Sequence, residues 1–190
     1  MQRLDDYIPI VGESVADDLR LLAEKLKGRT VQHVNSTSVG GGVAEILNRM
    51  VPLLNELGVR TTWDVIKGGD QFYEVTKKFH NALHGRAEEI TRRDFDVFLE
   101  TSRKNIEEMN TCADIVFVHD PQPIALVRRK NGNKWIWRCH VDVSRPQARV
   151  WRFLKDYIAD YDAAVFSAPA FAQELPIRQF LVAPSIDPLS

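Results

Sequence analysis

Cysteine is nearly absent from this sequence: only Cys112 and Cys139 occur in 190 residues, with no CxxC pair and no disulfide framework. Two isolated thiols fit reduced side chains in a cytoplasmic protein. No apolar run approaches the length of a membrane span, and the start, Met1-Gln2-Arg3-Leu4-Asp5-Asp6, lacks the basic-then-apolar order of a signal peptide. Neither sign of charge is in excess. Lys+Arg number 25 against 26 Asp+Glu, for a net charge of −1, which argues against a partner that is nucleic acid or anionic membrane. Internal repeats and low-complexity tracts are missing too. What is present is ordinary: 44% hydrophobic and 27% charged residues, which exclude wholesale disorder and fibrous classes. The length suits one domain of ordinary to large size, or two very small ones.

Along the chain, short apolar runs alternate with longer helical patterns. Residues 13–27 carry Leu19, Leu22, Ala23 and Leu26 at helical spacing before Gly28. A β-rich run over 30–35 breaks at Ser36-Thr37-Ser38 and Gly40-Gly41-Gly42. A helical stripe then fills 43–57, with Pro52 inside it predicting a bend or boundary. A strand over 59–66, helices over 71–84 and 88–110, and a strand over 114–118 follow. A short helix over 124–129, a strand over 135–139, a helix near 146–159 and strands at 163–166 and 180–182 complete the pattern. Strands separated by helices predict parallel pairing through crossovers, hence an α/β, Rossmann-like, mostly parallel open sheet with helices on both faces. Ligands of such sheets bind beyond the carboxyl ends of the strands. The chemistry is therefore expected at 36–42, 67–70, 119–123 and 140–145.

Five groups of residues stand out, three of them in or beside those stretches. Gly40, Gly41 and Gly42 join a strand to a helix, where backbone can approach a phosphate or sugar; a plain tight turn is the alternative. A dinucleotide fingerprint fits poorly, since Glu45 takes the third glycine position and Lys67-Gly68 stand where an acid should meet a ribose. Asp120 can accept hydrogen bonds from substrate hydroxyls, or cap a helix beginning at Pro121. Arg138 and His140 share one face of a strand and Cys139 takes the other, so a Cys–His nucleophilic pair is weakened and Cys139 reads as a small buried hydrophobe. His140, followed by Asp142 and Ser144, is the stronger functional candidate. His80 and His84 have the spacing of a zinc-binding helical pair, but Asn81 replaces the glutamate and no third ligand is evident; no metal is expected. Arg128-Arg129-Lys130 reads as a solvated helix end.

Taken together, His33–Leu47 (HVNSTSVGGGVAEIL), Phe79-His80-Asn81-Ala82-Leu83, Val118–Pro123 (VHDPQP) and Trp137–Asp142 (WRCHVD) resemble the trehalose synthase/trehalose phosphorylase group. Its members are retaining glycosyltransferases of family 4 with the GT-B fold. The terminal Ala183–Ser190 is similar to the group's interdomain segment. The resemblance implies a helical segment at 1–28, an acceptor-sugar domain over 29–182 and a linker beginning at 183–190. It implies a C-terminal donor domain, absent from this chain, that binds most of a nucleotide-sugar substrate. Without that domain the chain is expected to be inactive. A glucose- or trehalose-type sugar is the implied ligand, no cofactor is expected, and a homodimer is compatible with the group. By position, His140 would sit over the transferred glucose and Asp120 would hold acceptor hydroxyls. The Gly40–Gly42 loop would approach the donor phosphates, with His80, Asn81 and Arg138 as further substrate contacts.

Overall fold

The computed structural model describes residues 3–189. Its strands are β1 (Thr30–Asn35), β2 (Arg60–Val65), β3 (Ile115–His119), β4 (Lys134–Cys139), β5 (Ala163–Phe166) and β6 (Arg178–Leu181). They form one all-parallel sheet in the order β2-β1-β3-β4-β5-β6. The helices are α1 (Leu4–Val11), α2 (Glu13–Lys25), α3 (Gly42–Glu56), α4 (Asp70–Leu83), α5 (Arg92–Glu108) and α6 (Ala148–Ile158). Strand order runs one way from β1 to β2 and the other way from β1 to β3, so the switch point of the sheet lies between β1 and β3. This is the expected Rossmann-like α/β architecture, consistent with one half of a GT-B fold.

Each face of the sheet has its own layer. Val34, Val116, Val118, Trp135, Trp137 and Cys139 point into the larger core against α4, α5 and α6. Val31, Ile115 and Phe117 lie on the opposite face, with Ala23 of α2, Leu26 just after it and Leu54 of α3. Alternation along β4 thus puts Cys139 and Arg138 on opposite faces, as strand geometry requires. At the centre of the larger core Phe79 meets Phe95, Phe98 and Phe153 at ring centroid distances of 5.3, 5.4 and 6.1 Å. Two carboxylates fasten the amino ends of strands. Asp114 accepts the Thr30 N–H and hydroxyl at 2.8 Å each, and Asp162 accepts the Trp135 N–H at 2.8 Å.

Several boundaries differ from those expected. α5 begins at Arg92 rather than near 88, because Thr91 and Asp94 form a reciprocal capping box that fixes the first turn there. α3 runs through Pro52 without ending. Residues 124–129 are a 3-10 helix. His119 is the last residue of β3, paired with Arg138, rather than the first residue of the loop. The helical segment expected at 1–28 resolves into α1 and α2, with Met1 and Gln2 outside the described residues. Glu56 holds it to the end of α3 by accepting the Leu4 N–H at 3.0 Å. In the segment 183–190, of which Ser190 lies outside the described residues, Asp187 accepts from the Tyr7 hydroxyl at 3.2 Å and pairs with Arg49. β6 is an edge strand, and Phe180, Leu181 and Val182 are each more than half exposed.

Removing the ring at the centre of the aromatic cluster should be costly. Phe79→Ala is expected to lower stability by about 3–5 kcal/mol. Urea unfolding would read this as a lower midpoint at unchanged slope. A loss below about 1 kcal/mol would mean that the cluster does not hold the α4–α5–α6 layer in place.

Candidate functional site at the carboxyl edge

Near the carboxyl ends of β1, β3 and β4 stand several of the buried polar side chains. His33, His119 and Arg138 are all less than a tenth exposed. His33 lies on the α2 face of β1, with its ring stacked on Phe117 at a centroid distance of 5.0 Å. Its Nδ1 is 3.0 Å from Nε2 of His119, and Nδ1 of His119 is 3.0 Å from Nε2 of His140. The His119 and His140 rings are nearly coplanar in orientation, 16° apart with centroids at 5.3 Å. Three imidazoles therefore run in line from the switch point of the sheet outward to His140, which keeps part of its surface exposed.

Asp120 supports the outer end of this line. Its backbone sits in the left-handed region, at φ +62°, which asparagine and aspartate tolerate better than most residues. That conformation turns every polar group of the residue toward β4. The Asp120 N–H donates to Arg138 O at 2.9 Å, its carbonyl accepts from Trp137 Nε1 at 3.1 Å, and its Oδ1 accepts the His140 N–H at 2.8 Å. Capping of the following helix is overturned. The 3-10 helix starts after Pro123 with no side-chain cap, because the left-handed turn aims the carboxylate across the strands rather than along the chain.

Burial sets the ionisation of the group. Although Asp120 retains some exposed surface, burial of its carboxyl pushes the pKa up to about 6, partly offset by the backbone N–H of His140 and the charge of Arg138. Burial lowers His33 and His140 to about 4 and holds His119 well below its ordinary value; Arg138 adds to the effect on the last two. All three rings are thus neutral at neutral pH. The Cys139 thiol is pushed well above its usual range by burial and donates a hydrogen bond to Val141 O, so it stays protonated and inert.

The other expected residues divide. Gly40 and Gly41 have φ +73° and +84°, and a Cβ at Gly40, Gly41 or Gly42 would meet nothing within 4 Å, so the loop before α3 is open above its backbone. Thr37 closes its base, accepting the Val39 N–H and donating to the Val39 carbonyl. Helix α4 lies along the edge, from the Tyr73 hydroxyl on Ser36 O at 3.1 Å to His84, whose side chain acts electrostatically on Asp142. His80 is half-buried against His84, at 4.7 Å between centroids, while Asn81 donates to Glu88 at 2.7 Å. No hydrogen bond or ring contact joins His80 or Asn81 to the His140 group. Arg138 is spent on structure: its guanidinium donates to Phe166 O at 3.2 Å and Val182 O at 2.6 Å, tying β4 to β5 and to the end of β6. Among the described residues no cluster of three or more His, Cys, Asp or Glu could hold a metal.

Two surface hollows of about 760 Å³ each lie elsewhere, one beside β2 and the other between α1, α2 and Glu56. Sequence reasoning missed His33 and His119 as partners of His140. The signal was available, since His33 is in register with Phe117 and His119 stands two residues farther on the same face.

The all-parallel sheet, with its order reversing between β1 and β3, defines a Rossmann-like α/β domain. A family described as "Trehalose synthase, N-terminal domain" matches residues 33–173, and the chain belongs to that family. It is 43% identical to a protein named trehalose synthase from Thermococcus litoralis, over 100% of this chain and 47% of the relative. A trehalose synthase from Rubrobacter xylanophilus is 43% identical over 98% of this chain and 47% of its own length. A trehalose phosphorylase from Pleurotus pulmonarius is more distant, at 28% over 80% of this chain and 24% of the relative. The chain thus spans about half the length of the curated synthases it matches.

Burial at this edge has opposite consequences for Asp120 and the histidines. Native pKa values near 4 for His33 and His140, below the ordinary 6.5, mean that the unfolded chain takes up protons first. Stability is therefore lost as pH falls from about 6.5 toward 4, by roughly 2 kcal/mol per ring at pH 5. Asp120, raised from 3.8 to about 6, works the other way and returns stability as pH falls through that value. Asp120→Asn keeps an oxygen for the His140 N–H and removes this compensation. Its melting temperature should fall about 2–4 °C farther than wild type between pH 7 and pH 5, for an extra loss of about 1 kcal/mol. Parallel pH profiles for the two proteins would show that Asp120 does not titrate there.

Proposed function

We propose that this chain is the acceptor-sugar-binding half of a retaining glucosyltransferase that forms trehalose from a nucleotide-glucose and glucose. Its similarity to trehalose synthases along the whole of this chain supports the reaction class, and the lower identity to phosphorylases makes phosphate exchange the weaker reading. The single observation that carries the site is the Asp120 carboxylate bound to the backbone of His140, whose partly exposed ring stands at the carboxyl end of β4. Residues 29–182 form the acceptor domain, 1–28 a helical segment packed on it, and 183–190 the approach to a donor domain that holds most of the nucleotide-sugar.

In this reading His140 lies over the glucose being transferred and contacts one of its hydroxyls, a contact that tightens as an oxocarbenium-like centre develops. Groups that meet charge only as it develops lower the barrier more than groups that bind substrate throughout. Asp120 is ionised at neutral pH and offers its remaining acceptor capacity to a glucose hydroxyl while it holds the His140 backbone. The first turn of α3, reached over the open Gly40–Gly42 loop, offers unpaired N–H groups to the donor phosphates. His80 and Asn81, on α4, border the acceptor. Arg138 acts from behind, through its charge. Retention follows front-side attack, with the departing phosphate taking the acceptor proton.

One wall of a cleft positions neither substrate fully and does not exclude water, so the chain alone should transfer no glucose. It should still bind glucose with a Kd of roughly millimolar, since half of the contacts remain. Amide chemical shifts during a glucose titration should cluster at 36–42, 119–123 and 138–142. Shifts confined to other segments, none at saturating sugar, or sustained turnover of nucleotide-glucose by the chain alone would sink the assignment.

A further inference from the structure

The three-histidine line has a polarity, and the buried end decides it. Each of its two ring-to-ring contacts, at 3.0 Å, joins nitrogen to nitrogen, so each needs one proton. With neutral rings only two arrangements satisfy both contacts at once. In one, every ring carries its proton on Nδ1: His33 donates to His119, His119 donates to His140, and Nδ1–H of His140 points away from the line. In the other, every ring carries its proton on Nε2 and the sequence of donors is reversed. The buried end differs between them. Nε2 of His33 is fully buried and has no hydrogen-bond partner, on a residue 3% exposed. The reversed arrangement would place an N–H there with nothing to accept it, and orphaned buried donors are rarer than under-satisfied acceptors.

We propose that His33 and His119 are positioning residues that lock His140 as its Nδ1–H tautomer, a neutral hydrogen-bond donor directed at an oxygen of the bound sugar. The outer nitrogen is available for this role: Nδ1 of His140 has no hydrogen-bond partner among the described residues, and the residue is not fully buried. Burial keeps the rings neutral, and the flanking charges do not compete for their protons. The Arg138 guanidinium disfavours protonation of His119 and His140, and the Asp120 carboxylate is engaged with the backbone N–H of His140, not with its ring. A neutral donor of fixed direction discriminates sugar hydroxyl geometry without adding a full positive charge beside an electron-poor anomeric carbon. The proposal rests on the reading above only in taking a sugar as the recipient of the hydrogen bond; the locked tautomer stands independently of it.

Nitrogen-15 spectroscopy of the ring nitrogens in the 190-residue chain at pH 7 tests this directly. The expected result is Nδ1–H on all three residues, with each Nε2 unprotonated. Nε2–H on His140, or averaged nitrogen shifts showing that both of its tautomers exchange freely, would overturn the proposal in the wild-type protein alone. His119→Phe should release His140 to exchange between tautomers. His119→Asn, whose amide stands near the Nδ1 position of the lost ring, should keep His140 in the Nδ1–H form. Equal behaviour of the two variants, each with a dispersed folded spectrum, would show that His119 serves only to fill space. Failure of the glucose titration with the tautomers as expected would overturn the sugar assignment and leave the lock intact.

Discussion

At the outer end of β3, one residue in the left-handed region converts a strand terminus into a joint. Asp120 directs its N–H, carbonyl and carboxylate to Arg138, Trp137 and His140 in turn, so the ends of β3 and β4 are held at three points. A non-glycine residue at positive φ costs on the order of 1 kcal/mol, and the net worth of three hydrogen bonds exceeds that. The consequence reaches beyond local stability. With β4 pinned to β3, His140 stands at a fixed distance from His119, and the imidazole line can form. The Trp137 indole that donates to Asp120 is fully buried in the larger core, which anchors the joint to the most densely packed part of the molecule.

The two ends of the sheet are treated differently. At the amino end, Asp114 and Asp162 reach exposed lysines and arginines and also accept strand N–H groups, so their charge is compensated and their pKa values are held below the usual carboxylate range. At the carboxyl end Asp120 forms no salt bridge among the described residues, and burial raises its pKa despite the charge of Arg138. Structural acids are thus matched with partners while the site's acid is left mismatched, a division that perturbed ionisation at functional sites often follows.

Much of this was legible in the sequence, and the reasons are physical. Strand–helix alternation with near-continuous apolar strands left parallel pairing as the economical topology, and the carboxyl-edge rule then located the polar residues. Asp120 and His140 do meet there. The length of α5 was misread because a capping box, Thr91 with Asp94, outweighed the helical pattern of the residues before it. The capping role offered for Asp120 failed because its positive φ is a tertiary outcome, set by what β4 presents, and no local pattern encodes it. His33 and His119 looked like ordinary members of strand-end segments. Only strand order and register bring them together, and both depend on residues far apart in the chain.

The far edge of the sheet bears on how the molecule behaves in solution. β6 offers an unpaired strand edge whose Phe180 and Leu181 are more than half exposed, and Val182 continues the apolar surface. Edges of this kind attract other strands unless charge keeps neighbouring molecules apart. Here that repulsion is weak: the net charge is −1 and the isoelectric point lies near 6.5, so colloidal forces are at their smallest close to neutrality. The chain should therefore be least soluble in mildly acidic buffers and should keep best well above its isoelectric point, where mutual repulsion shields the exposed strand.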